Sequence, residues 1–307
     1  MEWYHILLIV LGSVIVLTLI GFMIMVFSIT KLMFNSYVNP KRYTREAQTA
    51  LFKSQNRPTY DYLQREPFAL TLRDGYVING DISANDPKKV VIIVHGHKST
   101  REGTLKYADL YYKTMGYTVV IFDQRGHGDN APSPITMGYK ESQDLVEIIH
   151  YVKNRFGNDI TLGLHGTSLG AATILMSTQY QQEASFIIAD CPFASIRQFS
   201  IDFIKLHHSP NFPFLQVLEW RFKKELGISY KDLDTSLAIR NNEIPTLFIH
   251  GALDQLIPPY HSDILFNNNK GYKEQHIFAH GKHAESVFGD PEEYIEVVTS
   301  FVKRWEK

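Results

Sequence analysis

The run Val90–Val94 reads VVIIV, with no polar residue at any position. Successive side chains of a strand point to opposite faces, so an uninterrupted apolar run needs cover on both. Thr118–Phe122 repeats the pattern, and further short strands are read at Ile160–Leu164, Phe186–Ala189, Thr246–Ile249 and Gln275–Phe278. Between them lie helical patterns at Thr104–Met115, Gly138–Phe156, Ala171–Tyr180, Tyr260–Asn267 and Pro291–Trp305. In the second of these, Leu145, Ile148, Ile149 and Val152 share one face. Strands alternating with helices predict an α/β fold, a mostly parallel sheet with helices on both faces. Phe68–Leu72 and Tyr76–Ile82 flank Asp74-Gly75, a hairpin signal that adds an antiparallel edge.

The N-terminus obeys a different rule. Ile6–Ile29 is 24 residues without a formal charge. As a helix rising about 1.5 Å per residue it exceeds the roughly 30 Å of a bilayer's hydrocarbon. A buried helix would show a polar stripe, and this one offers only Ser13, Thr18 and Ser28. A cleaved signal has a basic start and a shorter apolar core, whereas this chain begins Met-Glu-Trp-Tyr-His. The reading is a retained transmembrane anchor over 1–30, with Trp3 and Tyr4 at the interface. Residues 31–66 form a basic juxtamembrane connector, and 67–307 the main domain. Lys31, Lys41, Arg42 and Arg45 follow the anchor while no Lys or Arg precedes it, which places a single-pass protein's domain on the cytoplasmic face of the cell membrane. With 44% hydrophobic residues, 21% charged and a net charge of −1, the composition offers nothing to a nucleic acid. A single cysteine, Cys191, excludes an internal disulfide and a cysteine-rich metal site.

Chemistry enters at Gly166-Thr167-Ser168-Leu169-Gly170, between an apolar strand run and a small-residue helix pattern. G-x-S-x-G marks a nucleophile elbow, where a sharp strand-to-helix turn strains the serine and its neighbours need almost no side chain. A serine hydroxyl needs a histidine base oriented by a carboxylate. Asp254, in the loop after the Thr246–Ile249 strand, supplies the acid. His283 follows the last strand and is favoured as base over His280, three residues earlier. His283 lies further into the loop and can reach back over Ser168, whereas His280 would stay at the strand end. For the oxyanion the expected donors are the backbone N–H groups of Leu169, at a helix N-terminus, and of His97, in the loop Val94-His95-Gly96-His97-Lys98-Ser99. The His97 side chain either lines the pocket or is a solvated loop histidine. Asp123-Gln124-Arg125-Gly126-His127-Gly128 reads as a brace for the neighbouring loops rather than as chemistry. The 13 histidines include no H-E-x-x-H, and neither a metal nor a cofactor is expected.

Taken in order, His95-Gly96, Asp123-x-Arg125-Gly126-His127-Gly128, Gly166-x-Ser168-x-Gly170, Gly251-x-x-Asp254 and Gly281-x-His283 resemble the α/β-hydrolase superfamily. Within it the chain resembles bacterial membrane-anchored hydrolases of the serine-aminopeptidase-like and Bem46-like groups, over about residues 67–305. The resemblance implies an eight-stranded sheet, Ser/Asp/His catalysis and a small helical cap at 192–240. That segment is rich in Phe, Leu and Ile, and forms either an apolar lid or plain helical packing on the sheet. The expected activity is hydrolysis of carboxylic esters with a small-molecule or lipid-like acyl substrate. A peptidase or amidase using the same residues is the alternative, and a non-catalytic membrane-anchored binding protein a more distant one.

Overall fold

The computed structural model describes every residue except Met1, Thr59, His207, Ser209 and Lys307, so two positions of the expected cap lie outside the described residues. Eight strands form one sheet: β1 (Glu66–Thr71), β2 (Val77–Ser83), β3 (Asp86–Val94), β4 (Tyr117–Phe122), β5 (Thr161–Thr167), β6 (Phe186–Asp190), β7 (Thr246–Gly251) and β8 (Lys273–Phe278), in the order β1-β2-β4-β3-β5-β6-β7-β8. From β4 to β8 all neighbours are parallel. The sheet is nevertheless mixed, because β1 and β2 run antiparallel to each other and β2 runs antiparallel to β4. Val94 stands level with Phe122 on one side and Gly166 on the other, and Thr167 with Asp190. The loops leaving β3, β5 and β6 therefore emerge at one edge, where α/β sheets place their ligands.

The apolar run of β3 divides as its pattern demands. Val90, Ile92 and Val94 face a core built with Leu145, Ile148, Ile174 and Leu175, while Val91 and Ile93 face Tyr107, Tyr111, Val298 and Phe301. All five are fully buried, and truncating a buried Ile such as Ile92 to Ala costs about 2–5 kcal/mol. The segment expected to be a regular helix over Thr104–Met115 is instead a 3₁₀ stretch, Arg101–Tyr107, followed by a π turn, Asp109–Thr114. Asp123 accepts the Arg101 N–H at 2.8 Å and fixes its start. The irregular pitch seats Tyr107, Ala108, Leu110 and Tyr111 in the core together.

The first helix, α1 (Trp3–Val38), does not stop near residue 30 but runs unbroken through Val38. It is long and apolar enough to cross a membrane, with a mean hydropathy of 2.9 over its most apolar window. Every described residue before Val26 is exposed; then Val26, Thr30, Met33, Phe34, Tyr37 and Val38 are buried. Their spacing is that of one helical face. The second helix, α2 (Arg45–Ser54), docks on the domain through Arg45, which pairs with Glu102 and Asp81. The sheet is flanked by α3 (Tyr139–Phe156) and α4 (Leu169–Ser177). The cap segment holds α5 (Ile196–Leu206), α6 (Phe214–Leu226) and α7 (Thr235–Ala238). After β7 come α8 (Tyr260–Asn268), α9 (Ser286–Gly289) and α10 (Pro291–Lys303).

The cap and the upper part of α1 share a third core. Phe222 of α6 packs edge-on to Phe34, with ring centroids 5.1 Å apart, and stacks with Tyr37 at 6.4 Å. Arg221 donates to the Phe27 carbonyl at 2.9 Å. The same helix is thus bare along its first two-thirds and a packing partner along its last third.

Candidate active site

Ser168 joins β5 to α4 with φ +54° and ψ −116°, a region that costs a side-chain-bearing residue roughly 1–3 kcal/mol. The flanking glycines are forced by contact. A Cβ on Gly166 would sit 2.5 Å from the Gly170 carbonyl carbon, and one on Gly170 would sit 2.1 Å from the Val94 oxygen. The Ser168 N–H donates to the Asp190 carbonyl of β6 at 2.8 Å, which locks the turn onto the sheet edge.

The loops after β7 and β8 bring two more side chains to that serine. His283 Nε2 lies 3.1 Å from Ser168 Oγ, and its Nδ1 lies 2.7 Å from Asp254 Oδ2. Asp254 is buried. Its Oδ1 accepts the N–H groups of Leu256 at 3.0 Å and Ile257 at 2.9 Å, and His250 Nε2 approaches Oδ2 at 3.3 Å. Burial alone would raise the carboxyl's pKa; the hydrogen bonds of His250 and His283 outweigh it and hold the group well below the usual carboxylate range. A fixed carboxylate of this kind sets the imidazole tautomer that leaves Nε2 free to take a serine proton. His280 is elsewhere: it is 74% exposed and bonded to Asp290 at 2.6 Å.

The residues expected to supply the oxyanion donors, Leu169 and His97, both line the cavity at Ser168. Leu169 opens α4, buried at a helix N-terminus. In the loop after β3, Lys98 adopts φ +55° and His97 faces the cavity. Burial drops the His97 pKa to about 4. The neutral ring's Nε2 stands 2.8 Å from the Tyr37 carbonyl of α1; a carbonyl only accepts, so that nitrogen carries the hydrogen. The Val38 carbonyl is likewise taken by the Ile135 N–H at 2.9 Å. The last turn of α1 has carbonyls with no partner inside the helix. Two loops bordering the cavity satisfy them.

The cavity holds about 230 Å³ and opens beside Ser168 and His283. Its apolar walls are Phe193, Phe199, Phe203, Met137, Leu256 and Ile257, together with Ser36 and Tyr37 of α1, and Lys98 also lies on its lining. The contribution of α1 was not read from the sequence. Its available signal was Met33, Phe34 and Tyr37 recurring at helical spacing beyond the bilayer-length run. The Asp123–Gly128 loop is built as a brace: Arg125 grips Asp144 with two bonds of 2.9 and 2.7 Å, and Asp123 receives Arg101. Cys191, Asp254 and His283 each bring one ligand atom within 4.8 Å of the others. Burial raises the Cys191 thiol well above its ordinary pKa and keeps it protonated, a poor metal ligand.

A family model described as "Serine aminopeptidase, S33" matches residues 85–243, a little over half of the chain. The chain belongs to this family of hydrolases. The matched stretch includes Ser168 and the loops around His97 and Asp123 and ends before Asp254 and His283. Among curated proteins, "Uncharacterized protein YqkD" of Bacillus subtilis is 29% identical over 248 residues, covering 80% of this chain and 81% of its own. The "Lysophosphatidylserine lipase ABHD12" of Xenopus tropicalis is 27% identical over 221 residues, 66% of this chain and 55% of the lipase. The chain thus spans only about half the length of that lipase. "Protein bem46" of Schizosaccharomyces pombe is 24% identical, covering 71% of this chain and 68% of its own. Among solved structures, the Pyrococcus furiosus esterase Pf2001 superposes with a TM-score of 0.69 at 22% identity, over 88% of this chain and 99% of its own. That likeness establishes the α/β-hydrolase fold.

Proposed function

We propose that the protein is a membrane-anchored serine hydrolase that cleaves carboxylic esters of lipid-like acids through an acyl-enzyme. The observation that carries this reading is the continuous hydrogen-bonded chain from Ser168 Oγ through His283 to buried Asp254, set on a strained elbow. Ser168 attacks the ester carbonyl as His283 Nε2 takes its proton. The N–H groups of Leu169 and His97 receive the oxyanion, where one such donor is worth roughly 2.7–4 kcal/mol. Collapse breaks the bond to the alcohol oxygen, which takes the proton from His283, and water then repeats the sequence on the acyl-enzyme.

The substrate class follows from the walls. Three phenylalanines, a methionine and aliphatic residues suit one acyl chain, and 230 Å³ is too small for a two-chain lipid. The lipase named among the relatives supports the same class. An aminopeptidase would need a carboxylate to receive the substrate's ammonium group, and no acidic residue lines this cavity among the described residues. Asp202, the nearby cap acid, is engaged by His261 at 2.8 Å. In this reading the α1 segment before Val26 spans the cell membrane once, and the basic residues that follow it support a cytoplasmic domain.

The test is a series of p-nitrophenyl esters of increasing chain length beside aminoacyl-nitroanilides, with the full-length protein in detergent. The expected result is ester hydrolysis with a maximum at intermediate chain length. Faster cleavage of the anilides would replace the esterase by a peptidase. Protease accessibility in intact cells reports the orientation: a domain digested from outside contradicts the cytoplasmic placement.

A further inference from the structure

A second, smaller cavity meets the first at Ser168. It holds about 130 Å³, and Ser168, His97 and His283 border both. Its remaining walls lack the phenylalanines of the first cavity: Ser99, Thr104, Lys106 and Thr167, with His95 and Gly96. Lys106 is the one formal charge among them. The residue lies in the irregular 101–114 segment, whose pitch seats Tyr107 and Tyr111 in the core while Lys106 projects toward the serine side.

The ammonium is incompletely used. Lys106 Nζ donates to the Ala284 carbonyl at 2.5 Å, which leaves two of its three N–H groups. No carboxylate pairs with it directly among the described residues. Asp190 and Glu285 influence it without a direct ion pair. Asp190 Oδ2 accepts the hydroxyls of Tyr107 at 2.8 Å and Tyr294 at 2.9 Å while its Oδ1 has no hydrogen-bond partner among the described residues, and Glu285 pairs with Arg57 at 3.2 Å. Its contacts are neutral, the Ala284 carbonyl and the Tyr107 ring 4.9 Å from Lys106 Nζ, so an anion entering the cavity would add a charge-assisted contact that they do not supply.

We propose that this polar cavity is an anion subsite for the alcohol half of the ester, in which Lys106 binds a phosphate or carboxylate carried by the leaving alcohol. The proposal rests on the esterase reading of Ser168. With the acyl chain among the phenylalanines, the carbonyl carbon sits at Ser168 Oγ and the alcohol oxygen points to the other cavity. Breaking that carbon–oxygen bond, with the proton coming from His283, releases an alcohol that still carries its anionic group. At roughly 30 Å³ per water, the space matches about four waters. It takes a terminal phosphate or carboxylate and not a large headgroup.

The experiment compares full-length protein and two variants, Lys106→Gln and Lys106→Arg, on a matched pair: 1-decanoylglycerol and its 3-phosphate. Gln keeps an N–H for the Ala284 carbonyl and drops the charge, whereas Arg keeps the charge. The wild-type protein is expected to prefer the phosphate ester in kcat/KM. That preference falls about tenfold to a hundredfold in Lys106→Gln, the loss of a charge-assisted hydrogen bond, and is retained at least in part in Lys106→Arg. Inorganic phosphate, tested as an inhibitor of the neutral ester, reports whether the phosphate alone suffices; competitive inhibition that Lys106→Gln abolishes supports the site. Equal losses on both esters would overturn it, because Lys106 would then only pin the His283 loop through Ala284. Absence of any wild-type preference would overturn it as well. If neither ester is cleaved and Ser168 resists a fluorophosphonate, the esterase reading falls and takes this proposal with it.

Discussion

His280 and His283 lie in the same loop, each holds an aspartate through Nδ1, and the two pairs are equally short at 2.6 and 2.7 Å. They differ in everything around that bond. Asp254 is buried and receives two backbone N–H groups and His250 besides its histidine, whereas the His280–Asp290 pair sits at the surface with a ring 74% exposed. The second nitrogen of His283 reaches Ser168, and His283 keeps 23% exposure on the side where a substrate would stand. A histidine–aspartate pair is therefore not by itself a site. What sets one apart is an acid that cannot turn away and a second nitrogen with a nucleophile to serve.

The contrast breaks most sharply under alanine. His283→Ala should lower ester kcat/KM by roughly a millionfold, the scale seen when the base of such a unit is removed. His280→Ala should change it by about twofold or less, since an exposed pair contributes little. Steady-state kinetics on one soluble ester decides this, and comparable losses would erase the distinction. The acids come next. Asp254→Asn should cost about 10⁴ in kcat by favouring the wrong tautomer, while Asp290→Asn should leave the rate near wild type.

A smaller effect is expected where α1 meets the His97 loop. His97→Leu removes the donor to the Tyr37 carbonyl and should lower kcat about threefold to tenfold, the worth of one net hydrogen bond. His97→Gln, which restores an N–H, should recover most of it. Equal activity in the leucine variant would show that the end of the helix does not position this loop.

The smallest effect distinguishes the pairs by pH. The folded-state pKa of Asp254 is lowered, so its contribution to stability is present above the unfolded value of about 3.9 and is lost as pH falls. For the surface pair the two partners set two limits. The pKa of His280 is raised by Asp290, and that contribution is complete below about 6.5 and disappears as pH rises through the folded value. The pKa of Asp290 is lowered by His280, and its share is lost on acidification. NMR titration should find the His280 midpoint above 6.5 and see it fall in Asp290→Asn. An unchanged midpoint would remove the surface pair from solution.

Much of this was legible in the chain because the relevant physics is local. Val90–Val94 can only be a strand covered on both faces, and Gly166 and Gly170 stand where a Cβ would meet backbone. The preference for His283 over His280 followed from loop position, and the geometry brings His283 and not His280 to Ser168. What escaped depends on contacts between distant segments. Lys31–Val38 reads as a polar connector by composition, yet its Met33, Phe34 and Tyr37 continue the helix because the cap offers Phe222 to pack against. The carbonyl of Tyr37 meets His97 across 60 residues, and a backbone atom leaves no trace in a side-chain pattern. Likewise, helical periodicity at 104–115 conceals a 3₁₀ stretch and a π turn, the first of them held at its start by Asp123 from the loop after β4.

The central claim is that Ser168 is the nucleophile, and covalent labelling tests it most directly. Full-length protein treated with a fluorophosphonate and analysed by intact mass and peptide mapping should carry one adduct, on Ser168. Ser168→Ala, folded to the same melting temperature, should carry none. An adduct that persists in the alanine variant, or that maps to another residue, would contradict the account.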